Sequence, residues 1–224
     1  MDLSASTPRL RREQVAGMNI HYIMWSLDYF LDAQQRLGFK TIELWAAEPH
    51  VTLDHTGYFE ADELRRKIES RGLSVSSLCP ENVVYPWQYA ARKPLHAQRS
   101  LAYFKHGIEL AEVLGAPYMS INSGWGDWDE DREEAWKRSA EHLAILADYA
   151  GEHGVTLCME SLRPEESNLV VTLADARRML DQVASPHLTP MVDTTAMGVA
   201  GESLEEWFAE FGDGAIRNMR FIDG

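Results

Sequence analysis

Apolar positions along the chain fall into two alternating kinds of stretch. One is a short run rich in β-branched and aromatic residues; the other is longer, with apolar residues three or four positions apart. The longer kind ends in Gly and the shorter follows at once: Leu37-Gly38 before TIELW, Arg71-Gly72 before LSVSSLC, Leu114-Gly115 before PYMSIN, and His153-Gly154 before VTLCMES. A helix that closes on a left-handed residue favours Gly there, so each pair marks a helix end and a strand start. The glycines recur roughly every 35–45 residues, about one strand-plus-helix unit each. Helical spacing puts Leu101, Phe104, Ile108 and Ala111 on one face, and Trp136, Ala140, Leu143 and Ala147 on another. Thr172 with Asp175, and Ser203 with Glu206, read as helix starts, because a side-chain oxygen there caps the first free N–H groups.

Strands are expected near 19–25, 41–45, 73–79, 118–122, 156–160, 188–193 and 216–222, with a helix between each pair. They read as near-continuous apolar runs, the pattern of a parallel sheet covered on its outer face. A repeating βα unit predicts an α/β fold, either a (β/α) TIM barrel or an open doubly wound sheet. No GxGxxG follows the first strand, which favours the barrel. The count reaches seven strands and the sequence stops on the seventh, so the expectation is a barrel lacking its last βα unit. That domain spans 18–224, behind a polar N-terminal arm over 1–17.

Composition narrows the functional classes. With 224 residues, 45% hydrophobic and 25% charged, the chain has ordinary globular proportions, which excludes disorder and coiled coil. Its formal charge of −14 repels phosphate backbones, so nucleic acid is not an expected partner. No apolar run approaches the ~20 residues of a membrane helix, and the basic start has no apolar region behind it, so neither a membrane partner nor a secretory signal is expected. Cys79 and Cys158 sit inside apolar strand-like runs as free thiols, which points to a reducing cytoplasm. The acidic run DWDEDREE (127–134) lacks the spacing of a calcium loop and reads as the solvated start of a helix.

In a barrel, side chains just past the C-terminal strand ends converge on one mouth. Those positions hold Trp45, Glu48 and His50; Glu81 and Asn82; Asn122 and Trp125; then Glu160 and Asp193. Glu160 and Asp193 each close an apolar strand (TLCME, LTPMVD), where a buried carboxylate needs a partner. The bland alternative for both is helix N-capping or a solvent-facing loop end. For Trp45, Trp87 and Trp125 the choice lies between a sugar-stacking wall and core packing.

The strings IELWAAEPH (42–50), CPENVVYPW (79–87), MESLRPEESNLV (159–170) and MVDTTAMGV (191–199) resemble the sugar isomerase/epimerase family with xylose isomerase-like barrels, in particular its fructoselysine 3-epimerase type. The resemblance runs from about Met18 to the last residue. It implies a metal-binding isomerase or epimerase of carbohydrate metabolism acting on a ketose or sugar–amine conjugate by proton abstraction through an enediolate. It further implies a divalent metal (Mn, Mg, Co or Zn) held in part by Glu160 and Asp193, with Glu160 also removing the proton. Glu166 matches a substrate-contacting glutamate, and His50, Trp45, Glu81 and Trp125 are the other expected substrate contacts. One departure bears on the chemistry. Where the family carries a His-x-His-x-x-Asp string, this chain reads Asn218-Met219-Arg220-Phe221-Ile222-Asp223, so Arg220 stands at the position of the ligand His. A guanidinium has no lone pair to ligate a cation, and metal affinity is expected to be weak or lost. Arg220 is instead expected to point into the mouth and pair with one of the two acids. An impaired or non-catalytic sugar- or partner-binding relic is the alternative reading, and self-association through unpaired strand edges stays open. A metal-dependent endonuclease or hydrolase on the same barrel is the weakest reading, given the negative charge.

Overall fold

The computed structural model describes residues 10–83, 86–212 and 214–222. Seven parallel strands form its main sheet: β1 (Gly17–Met18), β2 (Thr41–Ala46), β5 (Ser74–Pro80), β6 (Tyr118–Ile121), β7 (Thr156–Glu160), β8 (Leu188–Asp193) and β9 (Asn218–Arg220). They lie side by side in chain order, and every neighbouring pair is parallel. A small hairpin, β3 (Leu53–Asp54) with β4 (Gly57–Tyr58), stands apart between β2 and β5. Helices fill the crossovers: α1 (Leu27–Leu37), α2 (Ala61–Glu69), α3 (Pro94–Leu114), α4 (Arg132–Glu152), α5 (Leu173–Val183), α6 (Thr194–Val199) and α7 (Leu204–Phe211). Side chains of β9 reach β2 across the interior, so the sheet curls until its two ends face one another.

The local signals act as the sequence predicts. Gly38 and Gly115 close α1 and α3 in the left-handed region, where any Cβ would be strained. Ser203 and Glu206 form a reciprocal capping box on α7, and Thr172 caps α5. Asp131, the last aspartate of the acidic run, caps α4 through the Glu133 N–H.

The main hydrophobic core lies between sheet and helices. Ile42, Leu44, Val75, Leu78, Met119, Ile121, Leu157, Met159 and Val192 point outward into it, against Phe104, Ile108, Trp136 and Leu143. Period-two alternation turns the other set inward. Glu43, Ser77, Cys79, Ser120, Cys158, Glu160 and Asp193 therefore face the barrel axis, and none belongs to that core. The inner face is polar, which the reading of continuous apolar runs did not anticipate. Among the described residues no helix is long and apolar enough to cross a membrane.

One strand departs from expectation. The strand expected over 19–25 is only Gly17–Met18, after which the backbone tightens into a 3-10 turn over Asn19–Tyr22. The fully buried Asn19 side chain continues the ladder in the backbone's place. Its Oδ1 accepts from the Trp45 N–H (2.7 Å) and its Nδ2 donates to the Trp45 carbonyl (3.0 Å). Asn19→Ala would strand both backbone groups, and a loss of about 1–3 kcal/mol is expected from urea denaturation. A loss below a few tenths would mean that water replaces the amide.

Candidate functional site

Arg220 organises the inner face. It closes β9, with Cα partner Asp193 on β8. The Arg220 Nη1 donates to both oxygens of Glu160, at 2.8 and 2.6 Å. Its Nη2 reaches Glu43 Oε1 (2.8 Å), Ser120 Oγ (3.0 Å) and Cys79 Sγ (2.8 Å). Asn218, two residues earlier and on the same face, donates to Glu43 and to Ser77 Oγ, each at 3.3 Å. Five strands thus contribute to one buried cluster. Glu160 and Glu43 are only 6% and 7% exposed, and the Arg220 side chain 13%.

Two carboxylates compete for one guanidinium in a desolvated setting. Burial pushes Glu160 up to about 7; Arg220 pulls it down, and Asp193 and Glu43 add to the rise. The Cys79 thiol is pushed up to about 12, mainly by burial, and stays protonated beside the guanidinium.

Asp193 ends β8 but takes the bland alternative as well. Its Oδ1 accepts from the N–H groups of Thr195 (2.8 Å) and Ala196 (2.9 Å), capping α6. It lies close enough to Glu160 to raise that group's pKa, yet its cap orients it toward the helix.

The other expected contacts fall into two neighbouring groups. Trp45 donates its indole N–H to Glu81 Oε2 (2.7 Å), and Glu81 Oε1 accepts from the Val83 N–H (3.1 Å). His50 lies within 2.8 Å of the Trp25 carbonyl through Nε2 and 2.9 Å of Asn19 Nδ2 through Nδ1. A carbonyl only accepts and an amide NH2 only donates, so Nε2 is the donor and Nδ1 the acceptor. His50 therefore bridges the turn after β1 to the loop after β2. Trp45 pairs in register with Cys79, which places this group beside the Arg220 cluster.

The second group sits on the loops after β6 and β7. Glu166 accepts from Arg163, both at the backbone N–H (3.2 Å) and at Nε (3.1 Å). Burial raises its pKa, but the Arg163 hydrogen bonds and charge outweigh that and hold it below the ordinary value. Ser167 donates to the Gly124 carbonyl (2.7 Å), and the Asn168 amide exchanges two hydrogen bonds with Gly126 (2.8 and 2.9 Å). These staples fix the loop that carries Trp125, whose carbonyl accepts from Gln88 Nε2. Trp87 instead stacks on Tyr103 (4.3 Å), as core packing. Asp223 lies outside the described residues.

Glu43, Ser120, Cys79 and Asn218 were not among the sequence-predicted site residues. The available signal was a charged residue inside the buried strand IELWA, which needs a partner as much as one at a strand end.

The expected divalent metal can be tested against this donor set. Both Glu160 oxygens are taken by the guanidinium, the Asp193 Oδ1 is taken by two backbone N–H groups, and the imidazole position holds Arg220. Among the described residues no group of three or more His, Cys, Asp or Glu is arranged to hold a metal ion. As arranged here these donors do not fit a divalent cation: Glu160 is engaged by Arg220, and Asp193 by the N-terminus of α6.

A family model described as xylose isomerase-like TIM barrel matches residues 31–223. The chain is similar to fructoselysine 3-epimerase of Shigella flexneri, at 29% identity over 194 residues, covering 87% of this chain and 70% of that protein. It is also similar to D-psicose 3-epimerase of Enterocloster bolteae, at 24% identity over 227 residues, 92% of this chain and 71% of the relative. Among solved structures, 3-keto-D-glucoside 4-epimerase from E. coli superposes with a TM-score of 0.76 at 16% identity, covering 93% of this chain and 78% of that one. An L-ribulose 3-epimerase superposes with a TM-score of 0.75 at 23% identity, over 90% and 67% of the two chains. These structural likenesses establish the fold.

Proposed function

The chain belongs to the xylose isomerase-like TIM barrel family, and on that premise we propose that it is a carbohydrate isomerase or epimerase. Its substrate in this reading is a ketose or a sugar–amine conjugate of the fructoselysine kind. The similarity to a fructoselysine 3-epimerase over 87% of the chain supports that class. The observation that carries it is Glu160: a buried carboxylate at the C-terminal end of a barrel strand, pushed up to about 7. A group with that pKa can both take and return a proton near neutrality, worth roughly 10²–10⁴-fold in rate.

The step follows from the chain's own residues. Glu160 takes the proton from the carbon beside the sugar carbonyl, and the C–H electron pair passes into an enediolate. Glu160 then returns the proton to the neighbouring carbon for isomerisation, or water delivers one to the opposite face for epimerisation. The positive charge of Arg220, held in a desolvated mouth, offsets the charge that develops there. Trp45 and Trp125 offer apolar faces to the ring, and Glu81 and Glu166 accept from hydroxyls. His50, with both ring nitrogens engaged, holds the turn in place. Without a Lewis acid, which supplies several kcal/mol where one is present, turnover is expected to be slow.

A second reading, sugar binding without turnover, is favoured by the grip of Arg220 on both Glu160 oxygens. Incubating the protein with fructoselysine, psicose, ribulose and tagatose, followed by NMR of the sugars, separates the two. Slow formation of an isomer or epimer from one of them is expected. Saturable shifts of the sugar signals with no product would favour binding alone, and neither would refute both.

A further inference from the structure

We infer that the Arg220 guanidinium holds the place of a divalent cation at the barrel mouth, so that this chain has no tight site there until Arg220 is replaced. Nη1 spans both Glu160 oxygens, and Nη2 meets Glu43, Ser120 and Cys79, so one planar fork links β7, β2, β6 and β5. That fork matches carboxylates in a way a water-ligated ion would have to undo. The thiol beside it stays protonated and is a poor ligand in that form. A cation entering the mouth would have to displace the guanidinium from the carboxylate oxygens that it occupies. With Arg220 changed to His, Glu160 and Glu43 are freed, and an imidazole is brought to the face they share with Asp193. Those are the nitrogen and oxygen donors that divalent manganese accepts.

The inference takes its location from the family reading but does not depend on turnover, because metal binding is measured without a sugar. Equilibrium dialysis of EDTA-stripped protein against Mn²⁺, with the electron paramagnetic resonance of the free ion as readout, tests it. The unmodified chain is expected to bind at least about a hundredfold more weakly than Arg220→His, since losing even an outer hydrogen-bond partner of a ligand costs up to about that much. The Arg220→His ion should be one per chain and should disappear in Arg220→His/Glu160→Gln. One Mn²⁺ per unmodified chain with a dissociation constant below about 10 μM, lost in Glu160→Gln, would overturn the inference. So would an Arg220→His protein that folds, by circular dichroism, and gains no affinity. If that variant does not fold, the result for the unmodified chain decides alone.

Discussion

Arg220→Met is expected to destabilise the protein by about 3–5 kcal/mol at pH 8, a large share of the 5–15 kcal/mol that holds a typical domain. The loss comes from what the change leaves behind, not from the pair's own net worth. Glu43 and Glu160 would remain buried without their counter-charge, left with Asn218, Ser77, Ser120 and the Cys79 thiol as neutral polar neighbours. Two signatures distinguish this from lost packing. The cost should shrink toward pH 5, where a stranded carboxyl can take a proton. Adding Glu43→Gln and Glu160→Gln to Arg220→Met should recover most of it, because no uncompensated charge then remains. Urea denaturation of the three proteins reads both effects. A cost under about 1 kcal/mol at pH 8 would mean that water reaches the cluster and the ion pairs are effectively exposed.

Glu160→Gln is expected to change two properties in opposite senses. Burial raises the folded-state pKa from 4.5 to about 7, so between those values the folded chain binds more proton than the unfolded one. Stability linked to this group is therefore complete below about pH 4.5 and falls as pH rises to about 7, by up to about 1.4 kcal/mol per unit. The Gln variant, which cannot titrate, should lack that decline. Its capacity to exchange a sugar proton should meanwhile fall by about 10²–10⁴-fold, because the amide cannot accept one. Thermal denaturation across pH 4–8 checks the first effect, and sugar NMR the second. A variant with the same pH profile as the unmodified chain would place the titrating group elsewhere.

The sheet and its order were legible because each helix stop, strand and capping residue is a local signal. TIELW, LSVSSLC and VTLCMES each follow a Gly that ends a helix, and the strands lie where those runs lie. The first strand was misplaced because an asparagine side chain does there what a backbone does elsewhere, and apolar patterning cannot register that. Asp193 is followed by Thr-Thr-Ala at the start of a helix, a capping pattern that explains its orientation. Glu43 lies in the middle of β2, away from the strand ends where a barrel gathers its chemistry, so position along the strand does not single it out. Its contact with Arg220 joins residues 177 apart, and only the curvature of the sheet brings them together. That Arg220 would pair with one of the two strand-end acids follows from its inward position beside them; that the acid is Glu160, with Glu43 as a second partner, depends on the curvature of the sheet.

In the proposed reaction Glu160, held by Arg220 and without a divalent cation, moves the proton beside a sugar carbonyl. Deuterium uptake from D2O at that carbon tests it most directly, because it registers proton removal whichever face the proton returns to. EDTA-stripped protein, incubated with fructoselysine or a ketose and followed by ¹H NMR, should exchange the hydrogen slowly but above the protein-free rate. The rate should be the same after Mn²⁺ is added and should be lost in Glu160→Gln. Exchange that appears only with Mn²⁺, or no exchange with any of these sugars, would rule out metal-free proton transfer by Glu160.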